Sequence, residues 1–210
     1  MNSASGTRMA GRPRDPAVDE RVAIAAVGLY GEVGWAGFSV EAVARRASVG
    51  KASIYLRWPT KEALLAAALG HRAGFVAEVD TGTVRGDLIQ LARQLLDLYL
   101  GGSGRAVMRI GLEADRIPWL AEHYDALRRS QILAARAIVH RGIRRGELPA
   151  TTSVTVLLDA LCGGAMVHAM TAPPSLRGKV IADADAYAEQ LVDFLLTSAA
   201  GNGGQAGTAR

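Results

Sequence analysis

The sequence has little of what would hold a metal or a covalent framework. A single cysteine, Cys162, in 210 residues excludes an internal disulfide framework and a zinc site made by cysteine itself, and fits a reducing, cytoplasmic location. The four histidines, His71, His123, His140 and His168, have no metal-binding spacing and read as structural or solvated. No nucleophile elbow, glycine-rich phosphate loop, HExxH or paired-carboxylate site is present, so no catalytic residue, metal or cofactor is assigned. The longest weakly polar run, Val154 to Met170, is interrupted by Asp159 and His168 and reads as too short for a membrane span. The N-terminal arginines Arg8, Arg12 and Arg14 are followed by no apolar signal core. No internal repeat and no convincing alternating strand pattern is found.

What is present is a charge asymmetry. The formal net charge is +4, and residues 1–61 carry all of it, with nine Lys or Arg against five acids. Residues 62–210 carry fifteen of each. Positive charge confined to one segment suits a polyanion-binding face, although an excess this small also falls within ordinary surface variation.

The periodicity predicts an all-α chain of about nine helices. Residues 1–11 and 199–210 are small and polar and read as disordered tails. A first helix runs from Pro16 to Val33, with Val18, Val22, Ala25, Leu29 and Val33 on one face and Gly34 as a stop. A short helix follows the N-cap Ser39, with Val40, Val43, Ala44 and Ala47 at i, i+3, i+4 and i+7. Ser48-Val49-Gly50 interrupts it. A second short helix begins near Lys51, with Ile54 and Trp58 inward, and Pro59 ends it. Thr60 caps a long helix expected to reach Val79. Five more are expected at about 85–100, 105–116, 118–145, 153–170 and 182–198, separated by glycine and proline breaks.

Two short helices joined by a three-residue turn make a helix-turn-helix, whose second helix must be exposed to enter a major groove about 12 Å wide. With Ile54 facing the core, Ala52 and Leu56 point most directly outward, flanked by Ser53 and Tyr55. Lys51 lies at the exposed N-terminal end. The Ala52 methyl suits a thymine methyl, Lys51 and Ser53 suit bases or phosphates, and Arg57 suits either. Such a motif can also be a purely structural corner, and Arg45 and Arg46 read as a solvated face.

The segment Gly34 to Leu65 resembles the DNA-binding region of the TetR (tetracycline-repressor) family. The matching residues are Gly34, Phe38, Ser39, Val43-Ala44, Ala47, Val49, Ala52-Ser53-Ile54-Tyr55, Trp58 and Lys61-Glu62. Gly11-Arg12-Pro13-Arg14 resembles the basic arm of many members. The resemblance implies that Tyr55 and Lys61 hold phosphates and that Arg12 and Arg14 enter the adjacent minor groove. One departure is the turn: the family usually has Gly first and a Ser N-cap last, whereas here Ser48 precedes Gly50.

The resemblance divides the chain into a DNA-binding domain (12–60) and a helical effector-binding and dimerisation domain (61–198). The last two long helices are expected to pair with their copies through Ala160, Gly163, Gly164, Tyr187, Leu191 and Phe194. Middle helices are expected to enclose a small, mostly apolar effector, lined by Leu95, Tyr99, Met108, Leu112, Trp119, Tyr124 and Met166. Residues of these types at helical spacing also form ordinary core. The implied function is a homodimeric, sequence-specific regulator of double-stranded operator DNA, an effector-released repressor. The same motif would serve an activator or an effector-independent binder, and an all-helical enzyme is the third class.

Overall fold

The computed structural model describes residues 15–72 and 79–202. The expected N-terminal tail, Arg12 and Arg14 lie outside the described residues, as does the end of the C-terminal tail. Within them the chain is helical: α1 (Pro16–Gly37), α2 (Val40–Ala47), α3 (Lys51–Arg57), α4 (Lys61–Arg72), α5 (Val84–Leu100), α6 (Gly104–Glu113), α7 (Pro118–Arg144), α8 (Val154–Thr171), α9 (Arg177–Ala182) and α10 (Ala184–Asn202). Two 3-10 turns, Ala114–Arg116 and Pro174–Leu176, precede α7 and α9.

The all-α class holds, with ten α-helices among the described residues where about nine were expected. The addition is α9, six residues with none buried, which leaves no apolar period to read. Val79 is outside any helix, and α10 continues to Asn202, beyond the expected stop at 198. Gly34 does not end α1 cleanly. It adopts φ 70° and ψ −175° inside the helix, so the backbone kinks there and resumes for one turn to Gly37. A Cβ at Gly34 would meet Glu113 Oε1 at 2.5 Å and Arg109 Nη1 at 2.6 Å, so both backbone angle and packing require glycine.

Two apolar cores organise the chain. The first gathers Val22, Ala26 and Tyr30 of α1, Val43 of α2, Ile54 of α3 and Leu64 and Leu65 of α4. It continues into Ala106 and Ile110 of α6 and Leu120 of α7, so the helix-turn-helix shares its core with the middle helices. The second joins Leu88, Leu91 and Leu96 of α5, Ile138 and Val139 of α7, Leu161 and Ala165 of α8, and Ala188 and Val192 of α10.

The second core encloses one charge. Asp87 is fully buried and accepts from Thr81 N (2.5 Å), Thr81 Oγ1 (2.8 Å) and Arg141 Nη2 (3.0 Å). Burial alone would raise its carboxyl, but those donors and the guanidinium together hold it below the usual carboxylate range. Arg141 also donates to the Val79 carbonyl, so the pair ties the segment before α5 to α7.

Candidate nucleic-acid interface

The helix-turn-helix is built by its caps. Ser39 Oγ accepts from Ala42 N at 3.2 Å and starts α2. Its C-terminus closes in a Schellman arrangement: Val49 N bonds Ala44 O (3.0 Å) and Ser48 N bonds Arg45 O (3.2 Å). This puts Ser48 in the left-handed region, φ 54° and ψ 45°, and it is the one non-glycine residue there among the described residues. Gly50 then precedes α3 with an ordinary φ of −62° and no side chain to cap the helix. The swapped Ser and Gly therefore place a strained residue in the turn and leave α3 uncapped by a side chain.

α3 presents a defined face. Ile54 is wholly buried, whereas Leu56 is 87% exposed and Lys51, Ala52 and Tyr55 are also exposed. Lys51 pairs with Glu41 of α2 and lies 5.5 Å from the Tyr55 ring centre. Its hydrogen bond lowers the Glu41 carboxyl and raises the lysine. Arg57 turns back instead: it forms an ion pair with Asp19 of α1 at 2.9 Å and donates to Ser53 Oγ at 2.5 Å. Ser53 and Arg57 are half-buried, so the structure separates them from the open face that Lys51, Ala52, Tyr55 and Leu56 share. Arg45 and Arg46 are exposed, and Arg46 grips both Glu32 oxygens at 2.6 and 2.8 Å. Trp58, expected inward, packs half-buried against the first core.

Thr60 Oγ1 accepts from Ala63 N at 3.1 Å and caps α4. Lys61, the first residue of α4, holds its Nζ 3.9 Å from the Trp35 ring centre. Trp35 stacks on Phe38 (5.8 Å) and meets Trp119, at the start of α7, edge-on at 4.9 Å. Beside them, Glu113 of α6 accepts from Trp35 N (3.1 Å) and the Tyr30 hydroxyl (3.0 Å). Burial first, and that carboxylate second, push the Tyr30 phenol well above its ordinary value. Trp35 and Glu113 escaped sequence reading because their roles come from α6 and α7, more than 75 residues away in sequence.

These features together are a capped helix pair on a shared core, an exposed second helix, and a cation at the next helix N-terminus. Residues 24–68 match the family of bacterial regulatory proteins, tetR family, and residues 78–195 match the tetracyclin repressor-like C-terminal domain. The chain belongs to the TetR family. It is a helix-turn-helix transcriptional regulator, in a family of DNA-binding regulators and not of enzymes. It is 31% identical over 150 residues to the HTH-type transcriptional regulator AqdR of Rhodococcus erythropolis, covering 71% of this chain and 72% of the relative. It is 28% identical over 155 residues to the uncharacterized HTH-type transcriptional regulator YdeS of Bacillus subtilis, covering 73% and 78%. Among solved structures it is similar to the fatty acid degradation regulator FadR of Bacillus halodurans (TM-score 0.65, 17% identity, 88% and 97% covered). FadR of Bacillus subtilis, in complex with stearoyl-CoA, also matches (TM-score 0.59, 18%, 84% and 96%). At those identities the likeness is one of fold.

The remaining site residues fall into several places in this TetR-family fold. Leu95 and Tyr99 lie against the second core, Trp119 and Tyr124 against the first. Met108 and the 77% exposed Leu112 face a groove beside Glu32 and Arg105, and Met166 is half-buried in α8. Of the small residues in α8, Gly164 packs inside the chain: its carbonyl accepts from the Tyr187 hydroxyl at 3.3 Å, and a Cβ there would meet Leu191 at 3.2 Å. Tyr187 stacks on His168 at 3.6 Å. Ala160 and Phe194 are exposed and Gly163 is partly so. Among the described residues, α8 alone is long and apolar enough to cross a membrane by length and composition, although the sequence run read as too short.

Proposed function

We propose that this chain is an effector-released repressor that binds operator DNA as a homodimer in the cytoplasm. The observation that carries the DNA-reading part is the exposed face of α3 that Lys51, Ala52, Tyr55 and Leu56 share. Lys51 and Ala52 read bases, and Ala52 lets the helix sit deep, whereas Ser53, bonded by Arg57, lies off that face. Tyr55 and Lys61 hold phosphates, Lys61 with the backbone N–H groups of the α4 start. Ser39 caps α2 beside the backbone, Arg57 braces α3 through Asp19, and Arg12 and Arg14 reach the minor groove. Residues 12–60, with Lys61 directly after them, supply these contacts, and 61–198 supply effector binding and dimerisation. Titration of a matched and a scrambled duplex at several salt concentrations tests the reading. Discrimination that survives at high salt supports it, and equal affinities refute it.

Dimerisation is supported by the exposed stripe of α8. Val156, Ala160, Gly163 and Val167 recur at spacings of four, three and four and so share one face. Phe194 of α10 is 69% exposed. Small residues allow close approach, and a helix apolar on both faces is explained if a second copy covers the outer one. The effector is a small, mostly apolar molecule bound against the middle helices, with Tyr99 among its contacts. FadR of Bacillus subtilis, in complex with stearoyl-CoA, is one example of a ligand-bound structure with this fold.

A further inference from the structure

A cleft of about 630 Å³ opens where α1 meets the turn between α5 and α6 and the end of α8. Ile24 and Val27 of α1, with Tyr99, Met170 and Pro174, give it an apolar wall. Its polar residues are Ser103, Arg105, Arg177, Arg46 and Glu32. Glu32 is already neutralised by the two-point grip of Arg46. Arg177 uses one Nη2 donor on the Leu100 carbonyl at 2.8 Å, which fixes its guanidinium across the α5–α6 turn. Arg105 is exposed and forms no ion pair among the described residues, although it lies near enough to Glu32 to help lower that carboxyl. After the Glu32–Arg46 pair, the cleft keeps an excess of positive charge.

Ser103 adds an independent observation. It is only 7% exposed, lines the cleft and immediately precedes α6, yet its hydroxyl does not cap that helix. A partner arriving through the cleft would also meet the positive end of the ten-residue α6.

We infer that this cleft binds the anionic head of an amphipathic ligand, a carboxylate or a phosphate, through Ser103, Arg105 and Arg177, with its apolar part along Ile24, Tyr99 and Met170. The inference rests on the reading of the chain as effector-responsive and gives that effector a chemical class. Such a ligand touches α1 and the α2 residue Arg46 on one side and α5, α6 and α8 on the other. It can therefore bias the placement of the helix-turn-helix, provided it binds one arrangement better than another.

Isothermal titration of the full chain with octyl phosphate, octanoate, octanol and inorganic phosphate tests this without DNA. The expected result is that at least one of the two amphipathic anions binds, with octanol and inorganic phosphate about tenfold or more weaker. The tighter anion identifies the head group. Arg105→Glu should weaken that binding about tenfold or more, Ser103→Ala by less, and the remote Arg144→Glu not at all. Octanol binding as tightly as the anions, an unaffected Arg105→Glu, or no anion binding at millimolar concentration would each overturn the site. Operator release is scored separately. Anion binding without release keeps the site and refutes the effector reading, whereas release by another compound without anion binding does the reverse.

Discussion

Lys61 Nζ lies 3.9 Å from the centre of the Trp35 ring, so a lysine at the N-terminus of α4 is held by an aromatic at the kinked end of α1. Trp35 in turn leans on Trp119 of α7. If Lys61 neutralises a phosphate, Lys61→Ala weakens all sequences alike and flattens the salt dependence by about one unit. Trp35→Leu keeps the charge but loses its positioning. It should lower affinity a few-fold while leaving the salt slope near that of the unaltered protein. Binding titrations at several salt concentrations separate the two, and a Lys61→Ala protein with an unchanged slope and relaxed specificity would reverse the assigned role.

Ser48 pays for its left-handed backbone, a conformation that costs an L-residue about 1–2 kcal/mol. Ser48→Gly should stabilise by about 0.5 kcal/mol once the greater freedom of an unfolded glycine is subtracted. Gly50→Ser meets open space and adds an N-cap to α3, a gain of about a few tenths of a kcal/mol. Chemical denaturation of each variant measures this, and a destabilised Ser48→Gly would show that the serine has a partner that compensates the strain.

The Asp87–Arg141 pair predicts both a mutational and a pH effect. Asp87→Ala leaves a guanidinium half-buried beside the second core and should cost about 3–5 kcal/mol. Because the folded carboxyl is held below its unfolded value, its stabilisation is present above the unfolded value of about 3.9 and lost as pH falls through the folded one. Denaturation midpoints between neutral and strongly acidic pH should therefore fall more steeply for the unaltered protein than for Asp87→Asn. Parallel curves would contradict the linkage.

The half-buried Cys162 thiol is pushed up by burial to about 11, with Asp159 adding to it. At pH 8 only about one thiol in a thousand is ionised, so alkylation of the folded chain should be far slower than of a free thiol. Iodoacetamide labelling followed by mass determination checks this, and labelling at the rate of an unfolded control would place the thiol elsewhere.

An exposed Phe194 and the outer stripe of α8 predict that Phe194→Asp raises the dimer dissociation constant by about tenfold or more, without unfolding the chain. Sedimentation equilibrium over a concentration series measures this. A variant dimer as tight as the original would move the interface off α10.

Much of the helix-turn-helix was legible because its signals are local. Ser39, Pro59 and Thr60 act within three residues of themselves, and the apolar period of α2 names its own buried face. Leu56 and Ala52 face outward because Ile54 faces in, which helix geometry alone dictates. Arg57 looked equally available, yet its destination is Asp19, 38 residues earlier, and no local rule reports that. α9 was invisible because its six residues, with only Val180 half-buried, are too few to show a helical period. The middle-helix lining set is spread between two cores because helical spacing gives a face, not the element that the face meets.

Selection of bound duplexes from random DNA, by the unaltered chain and by Lys51→Ala, tests the central claim most directly. The account predicts an enriched inverted repeat, with half-sites set by recognition helices about 34–36 Å apart, and a Lys51→Ala preference altered at symmetric positions in both halves. Recovery of no common sequence, with binding that varies only with salt, would contradict it.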